Sequence, residues 1–161
     1  MRFLSWAAVF AATFVAGCQT TSHVNALDEV RARPLVFADY PQAGRTYLSF
    51  SHAHGFQVNY LAAQGKAWLW YPGNSKIVPE LWKLDRDGTV ICWKHPQQSY
   101  NPVTQQFGGG FACTSRQFSA KTIVAELRGD PFGLAKGNVP YRLKKCQAPD
   151  AFEFDRTKYG C

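Results

Sequence analysis

Between residues 45 and 128 the chain alternates short apolar runs with turn residues. Thr46–Phe50 and Phe56–Leu61 flank SHAHG, and AWLWY (67–71) stops at PGNS. KIVPELWKL (76–84) stops at DRDG, and TVICWKH (89–95) opens a long loop. Aromatic and β-branched runs broken by Gly, Pro, Asn and Asp predict antiparallel strands joined by hairpins. Ala62–Gly65 reads as a turn, and Asp85–Gly88 suits a four-residue hairpin loop ending in a residue of positive φ. Strand alternation puts Trp68 and Trp70 on one face with Leu69 and Tyr71 on the other, and sets Ile91 and Trp93 against Val90 and Cys92. Apolar residues on both faces predict a sheet covered twice, or one face that is a broad aromatic surface. Pro79 has no N–H to give a ladder, so KIVPELWKL is expected at an edge or bulged there.

The flanks complete the architecture. Ala26–Arg33 (ALDEVRAR) predicts a short helix, with Asn25 as N-cap and Pro34 as its stop. Leu35–Arg45 is an apolar patch followed by a turn. Pro96–Gly110 is a long loop whose triple glycine lacks the Lys-Ser/Thr partner of a phosphate loop and is expected to be flexible. Phe111–Phe118 and Lys121–Leu127 read as strands, the second also readable as a helix. Gly129–Gly133 is a turn, and Val139–Lys145 is expected as the last strand. Seven or eight strands with short connections predict a mainly β chain. The expected form is a single antiparallel sheet curled into a small barrel or compact sandwich, a lipocalin-like meander with a short N-terminal helix.

The N-terminus changes where this domain is expected to work. MRF followed by LSWAAVFAATFVA is a cationic start and an apolar stretch too short for a permanent membrane span. Val15-Ala16-Gly17-Cys18 resembles the lipobox of bacterial lipoproteins. That resemblance implies cleavage after residue 17, acylation of Cys18 and stable anchoring by two or three acyl chains. The expected organisation is a signal peptide over 1–17, a lipidated tether over 18–25 and one β-rich domain over 26–161. Gln19 in place of Asp favours the outer membrane, so the expected location is the cell envelope, facing the periplasm.

Cleavage leaves 144 of the 161 residues and, with Arg2 gone, a formal charge of +6 in place of +7. That is the length of one domain with a single core. The basic residues are dispersed, which argues against nucleic acid as a partner. Cys92, Cys113, Cys146 and Cys161 form an even set in an oxidising compartment and predict two disulfides, with three pairings open. Cys92–Cys113, joining two strands across one loop, and Cys146–Cys161, clipping down the C-terminus, are the favoured pairs. No C-x-x-C and no neighbouring Cys/His pair suggests zinc.

Candidate chemistry is sparse. His52-x-His54, with His95 at a distance, is a weak metal spacing, and a solvated loop explains it more simply. No G-x-S-x-G turn is present. Carboxylates for hydrolysis could be drawn from Glu80, Asp85, Asp87 and Glu126, but hairpin acids are usually turn formers. Neither a cofactor nor a catalytic residue is indicated. The aromatic set is the main binding candidate: Trp68, Trp70, Tyr71, Trp82, Trp93 and Tyr100, with Lys83, Lys94 and His95 at the mouth of a pocket. Tryptophans on adjacent strands are more often core.

WLWYPG (68–73), ICW (91–93), YNPVT (100–104), Cys113 and GDPFGL (129–134) occur in order. Together they resemble a group of small exported alphaproteobacterial proteins classed as a domain of unknown function, over roughly residues 55–143. The resemblance implies a β-rich exported domain with a Cys92–Cys113 pair and brings no activity. The leading expectation is a non-catalytic, lipid-anchored envelope protein that binds a protein partner or serves a larger envelope assembly. A carrier of an apolar or glycan ligand in a lipocalin-like cavity comes second, and an envelope hydrolase with an unrecognised site third.

Overall fold

The structure, a computed structural model, describes residues 19–160. The signal segment, Cys18 and Cys161 lie outside the described residues. Nine strands and two helices follow in order: α1 (Gln19–Ala32), β1 (Arg45–Ser51), β2 (Gly55–Leu61), β3 (Lys66–Trp70), β4 (Val78–Asp85), β5 (Val90–Lys94), β6 (Tyr100–Asn101), β7 (Gln106–Phe107), β8 (Phe111–Ser115), α2 (Arg116–Thr122) and β9 (Ile123–Arg128). Seven of the strands form one antiparallel sheet in the order β8-β5-β4-β3-β2-β1-β9, and β6 and β7 make a separate small hairpin. The chain is mainly β, as expected. Among the described residues no helix is long and apolar enough to cross a membrane.

The sheet must curl. Its two edges, β8 and β9, are consecutive in sequence apart from α2. Seven flat strands would hold these edges about 29 Å apart, whereas seven helical residues advance about 10 Å. The helix also touches β1 and β9 on one side and β5 and β8 on the other. It therefore bridges the open side of a half-barrel and sits over the concave face.

A second cause lies in β4. Its first half pairs with β3, from Val78↔Leu69 to Leu81↔Lys66, and its second half with β5, from Leu81↔Lys94 to Asp85↔Val90. Leu81 alone is paired on both sides. This hand-over staggers the two halves of the sheet and explains Pro79. β4 is an interior strand of the sheet, but at Pro79 only β3 runs alongside, so the proline sits in an edge-like stretch.

Both faces are covered. Leu48, Phe50, Phe56, Val58 and Trp70 point to the convex face and are buried under the C-terminal segment through Leu134, Leu143 and Phe152. Tyr47, Leu61, Ala67 and Ile91 point to the concave face and pack with Tyr40, Ala120 and Ile123. Residues 139–145 are not the strand expected. Pro140 breaks a ladder, and the segment lies across the sheet, with the carbonyls of Leu143 and Lys145 accepting from the N–H groups of Gly73 and Phe56 at 3.0 Å each. Gly55 allows that contact: its φ is +75°, and a Cβ there would overlap the Lys145 carbonyl.

The helices also depart from expectation. α1 begins at Gln19, so residues 19–25 are helical and Asn25 lies within the helix, not at its cap. Ala26 and Val30, four apart on one helix face, are buried. Beyond its end Arg33 pairs with Glu29 at 2.7 Å and donates to the Phe50 carbonyl at 2.8 Å, fixing α1 to the end of β1. FACTSRQF divides: Ser115 ends the strand and caps α2 by accepting from the Phe118 N–H at 3.3 Å. KTIVAEL divides too, since the β-branched pair Ile123-Val124 opens β9. Cys92 and Cys113 face each other across β5 and β8 and are disulfide-bonded. Cys146 is also in a disulfide, while Cys161, its expected partner, lies outside the described residues.

Candidate functional site

The concave face is not filled. Three cavities of about 150, 220 and 310 Å³ lie along it, and all three are lined by His54 and Gln57. The middle one lies between the sheet and α2, with Ser119 and Thr122 of the helix facing Tyr47, Asn59 and Glu80 of the strands. Strand alternation made this lining. Along β1 and β2 the apolar Leu48, Phe50, Phe56 and Val58 go to the convex core, which leaves Tyr47, Ser49, Gln57 and Asn59 facing inward.

Glu80 is the centre of the site. It lies opposite Ala67, whose small side chain leaves room above it, and it is buried, its side chain only 1% exposed. One carboxylate oxygen, Oε1, is 2.6 Å from His95 Nδ1, and the other accepts from Asn59 Nδ2 at 3.2 Å. His95 follows β5 directly and continues the inward series Ile91, Trp93, so its ring reaches the cavity while staying 40% exposed. The hydrogen bond to Glu80 raises the His95 pKa, its partial burial opposes this, and the charge of Glu80 raises it further. Asn59 Oδ1 is buried and accepts no hydrogen bond among the described residues.

Two tyrosines complete the wall. Tyr40 and Tyr47 meet edge to face at 4.9 Å between centroids. Burial pushes the Tyr40 hydroxyl far above its ordinary range, and pushes Tyr47 up to about 12. The Tyr47 oxygen accepts from the Gln42 N–H at 3.0 Å. Both phenols are therefore neutral at physiological pH. Arg116 of α2 holds the Tyr40 segment in place by donating to the carbonyls of Tyr40 (2.6 Å) and Ala38 (2.7 Å).

The expected aromatic pocket is not one pocket. Trp70 is fully buried in the convex core, against Phe132 and Tyr141, and lines none of the three cavities. Trp68 shares its face and stacks on Tyr60 at 5.8 Å. Trp82 and Trp93 lie on the concave face, with Trp93 lining two of the cavities. Tyr71 and Tyr100 line the third, smaller one with His95. Lys83 and Lys94 are on the opposite face from His95, around Phe111 at 5.2 and 6.0 Å. His52 is exposed in the β1–β2 turn, whereas His54 turns inward to the cleft. Among the described residues no group of three or more metal-ligating side chains is gathered.

The loop at 96–110 folds back on itself through backbone hydrogen bonds. Gly108 donates to Ser99 O at 2.9 Å and Gly109 to His95 O at 3.0 Å. A Cβ on Gly108 would overlap the Pro96 carbonyl, so the glycines let the loop fold back onto the strand end that carries His95.

No family model, curated protein or solved structure is detectably similar to this chain.

Proposed function

We propose that this chain is a lipid-anchored envelope protein that carries a small ligand in the cleft of its half-barrel. The observation supporting it is the set of adjoining cavities on the concave face, walled by Trp93, Leu69 and Tyr71 and furnished with Gln57, Asn59 and Glu80. Small-ligand sites have this make-up, an apolar wall with a few placed polar groups. The carrier reading moves ahead of partner binding because Trp70 and Trp68, half of the expected tryptophan surface, belong to the opposite face. Native mass spectrometry of the domain released from membranes tests it. A co-purifying small molecule that disappears in Gln57→Trp, which fills the junction of the three cavities, supports the carrier. A wild-type protein that is ligand-free and takes up nothing from envelope extract refutes it.

A second reading, docking to an envelope protein, draws on one feature. Tyr100 and Phe107 form an exposed ring pair at 5.1 Å on the β6–β7 hairpin, 48% and 72% exposed. Phe107→Ser should abolish any partner recovered by cross-linking in membranes. Anchoring through Cys18 is tested separately, since Cys18→Ala should move the protein from membrane to soluble fraction.

A further inference from the structure

The carrier reading leaves the ligand open, and the chemistry of the middle cavity narrows it. Among the described residues no lysine or arginine lines any of the three concave cavities. A phosphate or carboxylate ligand would find no permanent cation there. The acceptors, by contrast, are in excess. Glu80 presents a buried carboxylate, and Asn59 Oδ1 is a buried acceptor without a donor among the described residues. A buried acceptor left without a donor is costly, so its presence at a cavity wall calls for a donor that binds there. The two are adjacent, since Asn59 Nδ2 is bonded to Glu80 Oε2.

We propose that the cavity beside Glu80 receives a primary ammonium group, making the ligand a small organic amine. The inference rests on the carrier reading. An ammonium has three donors and one positive charge, which suits a carboxylate, an amide oxygen and the Ser49 or Gln57 oxygens. Tyr40, Tyr47 and Trp93 give the organic part an aromatic wall and the charge a favourable quadrupole.

His95 sets the conditions. The titratable groups facing Glu80 across the cavity are Tyr40, Tyr47, His54 and His95. The tyrosines stay neutral. When His95 is protonated it already neutralises Glu80, and an ammonium gains little. When His95 is neutral it sets no positive charge against Glu80, and an ammonium there gains more. Amine uptake thus releases a proton from His95 and strengthens as pH rises.

The test titrates the purified domain with phenethylammonium and with its neutral counterpart 2-phenylethanol, read by tryptophan fluorescence and thermal shift. The expected result is a preference for the ammonium of about tenfold or more at about pH 8.5, shrinking at about pH 5.5. Glu80→Gln should abolish the preference, and Asn59→Ala, which keeps the carboxylate, should lower it several-fold should the first variant not fold. Equal affinity for the two probes, no binding of the ammonium, or a preference unchanged in either variant overturns the inference. A neutral molecule found in the cleft by native mass spectrometry would overturn the amine and leave the carrier standing. A cleft-blocking Gln57→Trp that binds either probe as well as wild type would remove the carrier reading itself.

Discussion

Removal of the Cys92–Cys113 bridge should reveal how the half-barrel is held at its weakest edge. β8 pairs only with β5, and all five of its residues are exposed, so burial contributes little to holding it. The disulfide closes a segment with a sequence separation of 21 that contains His95 and the β6–β7 hairpin. Loop-closure entropy for a segment of this length corresponds to about 3 kcal/mol of stability at room temperature. In Cys92→Ala/Cys113→Ala, the loss of the buried Cys92 sulfur adds about 1 kcal/mol. With a urea slope of roughly 2 kcal/mol/M, the unfolding midpoint should fall by about 2 M. The assay is urea denaturation followed by tryptophan emission, paired with amide exchange over residues 95–115. A loss below about 1 kcal/mol, with exchange accelerated only in that segment, would refute the reasoning, because it would show β8 detaching without the rest of the sheet. Either outcome bears on the site, since the bridged segment carries the histidine that contacts Glu80.

Three further perturbations test other links. Trp70→Ala should cost about 3–5 kcal/mol by urea denaturation, as a fully buried indole is lost from the convex core; a cost under about 1 kcal/mol would show that this core repacks. The His95 pKa is raised by Glu80. Its stabilisation is therefore full below the unfolded value of about 6.5 and is lost as pH rises through the folded value. Urea midpoints measured upward from about pH 6 should decline in wild type and lose that component in His95→Gln. Gly108→Ala should disorder the β6–β7 hairpin through its overlap with the Pro96 carbonyl, visible as faster amide exchange at Gly109 with little change in global stability.

The strands were legible because alternation and turn residues are local signals: β1 to β5 begin and end within a residue or two of their apolar runs. The two-faced cover was legible from the apolar residues on both sides of AWLWY and TVICWKH. Helix α2 was not, because RQFSAKT continues the polarity of the strand before it, and only the capping Ser115 hydroxyl marks the change. Nor was the loss of the expected strand at 139–145, which depends on the sheet already offering a face for it to cross. The site was half visible. Glu80 and His95 were noticed separately, as a carboxylate and as a pocket-mouth group, but they are brought together by the pairing of β4 with β5 across Leu81↔Lys94. Gln57 and Asn59 carry no local signal that sets them apart from other polar strand residues. Alternation turns them away from the convex core, but that α2 closes over their side is a long-range fact that no local pattern carries.

The hand-over in β4 has a mechanical corollary. Because α2 joins both sheet edges without a linker at either end, those edges cannot part freely. The compliance of the half-barrel must then concentrate where cross-strand bonding is thinnest, at the single doubly paired Leu81, next to Glu80. The sheet would breathe about this point like a book about its spine, with the carboxylate at the fold. Uptake of anything into the cleft should therefore register first as line broadening of the backbone amides around 79–82, on the microsecond-to-millisecond scale, and only weakly in the surrounding loops.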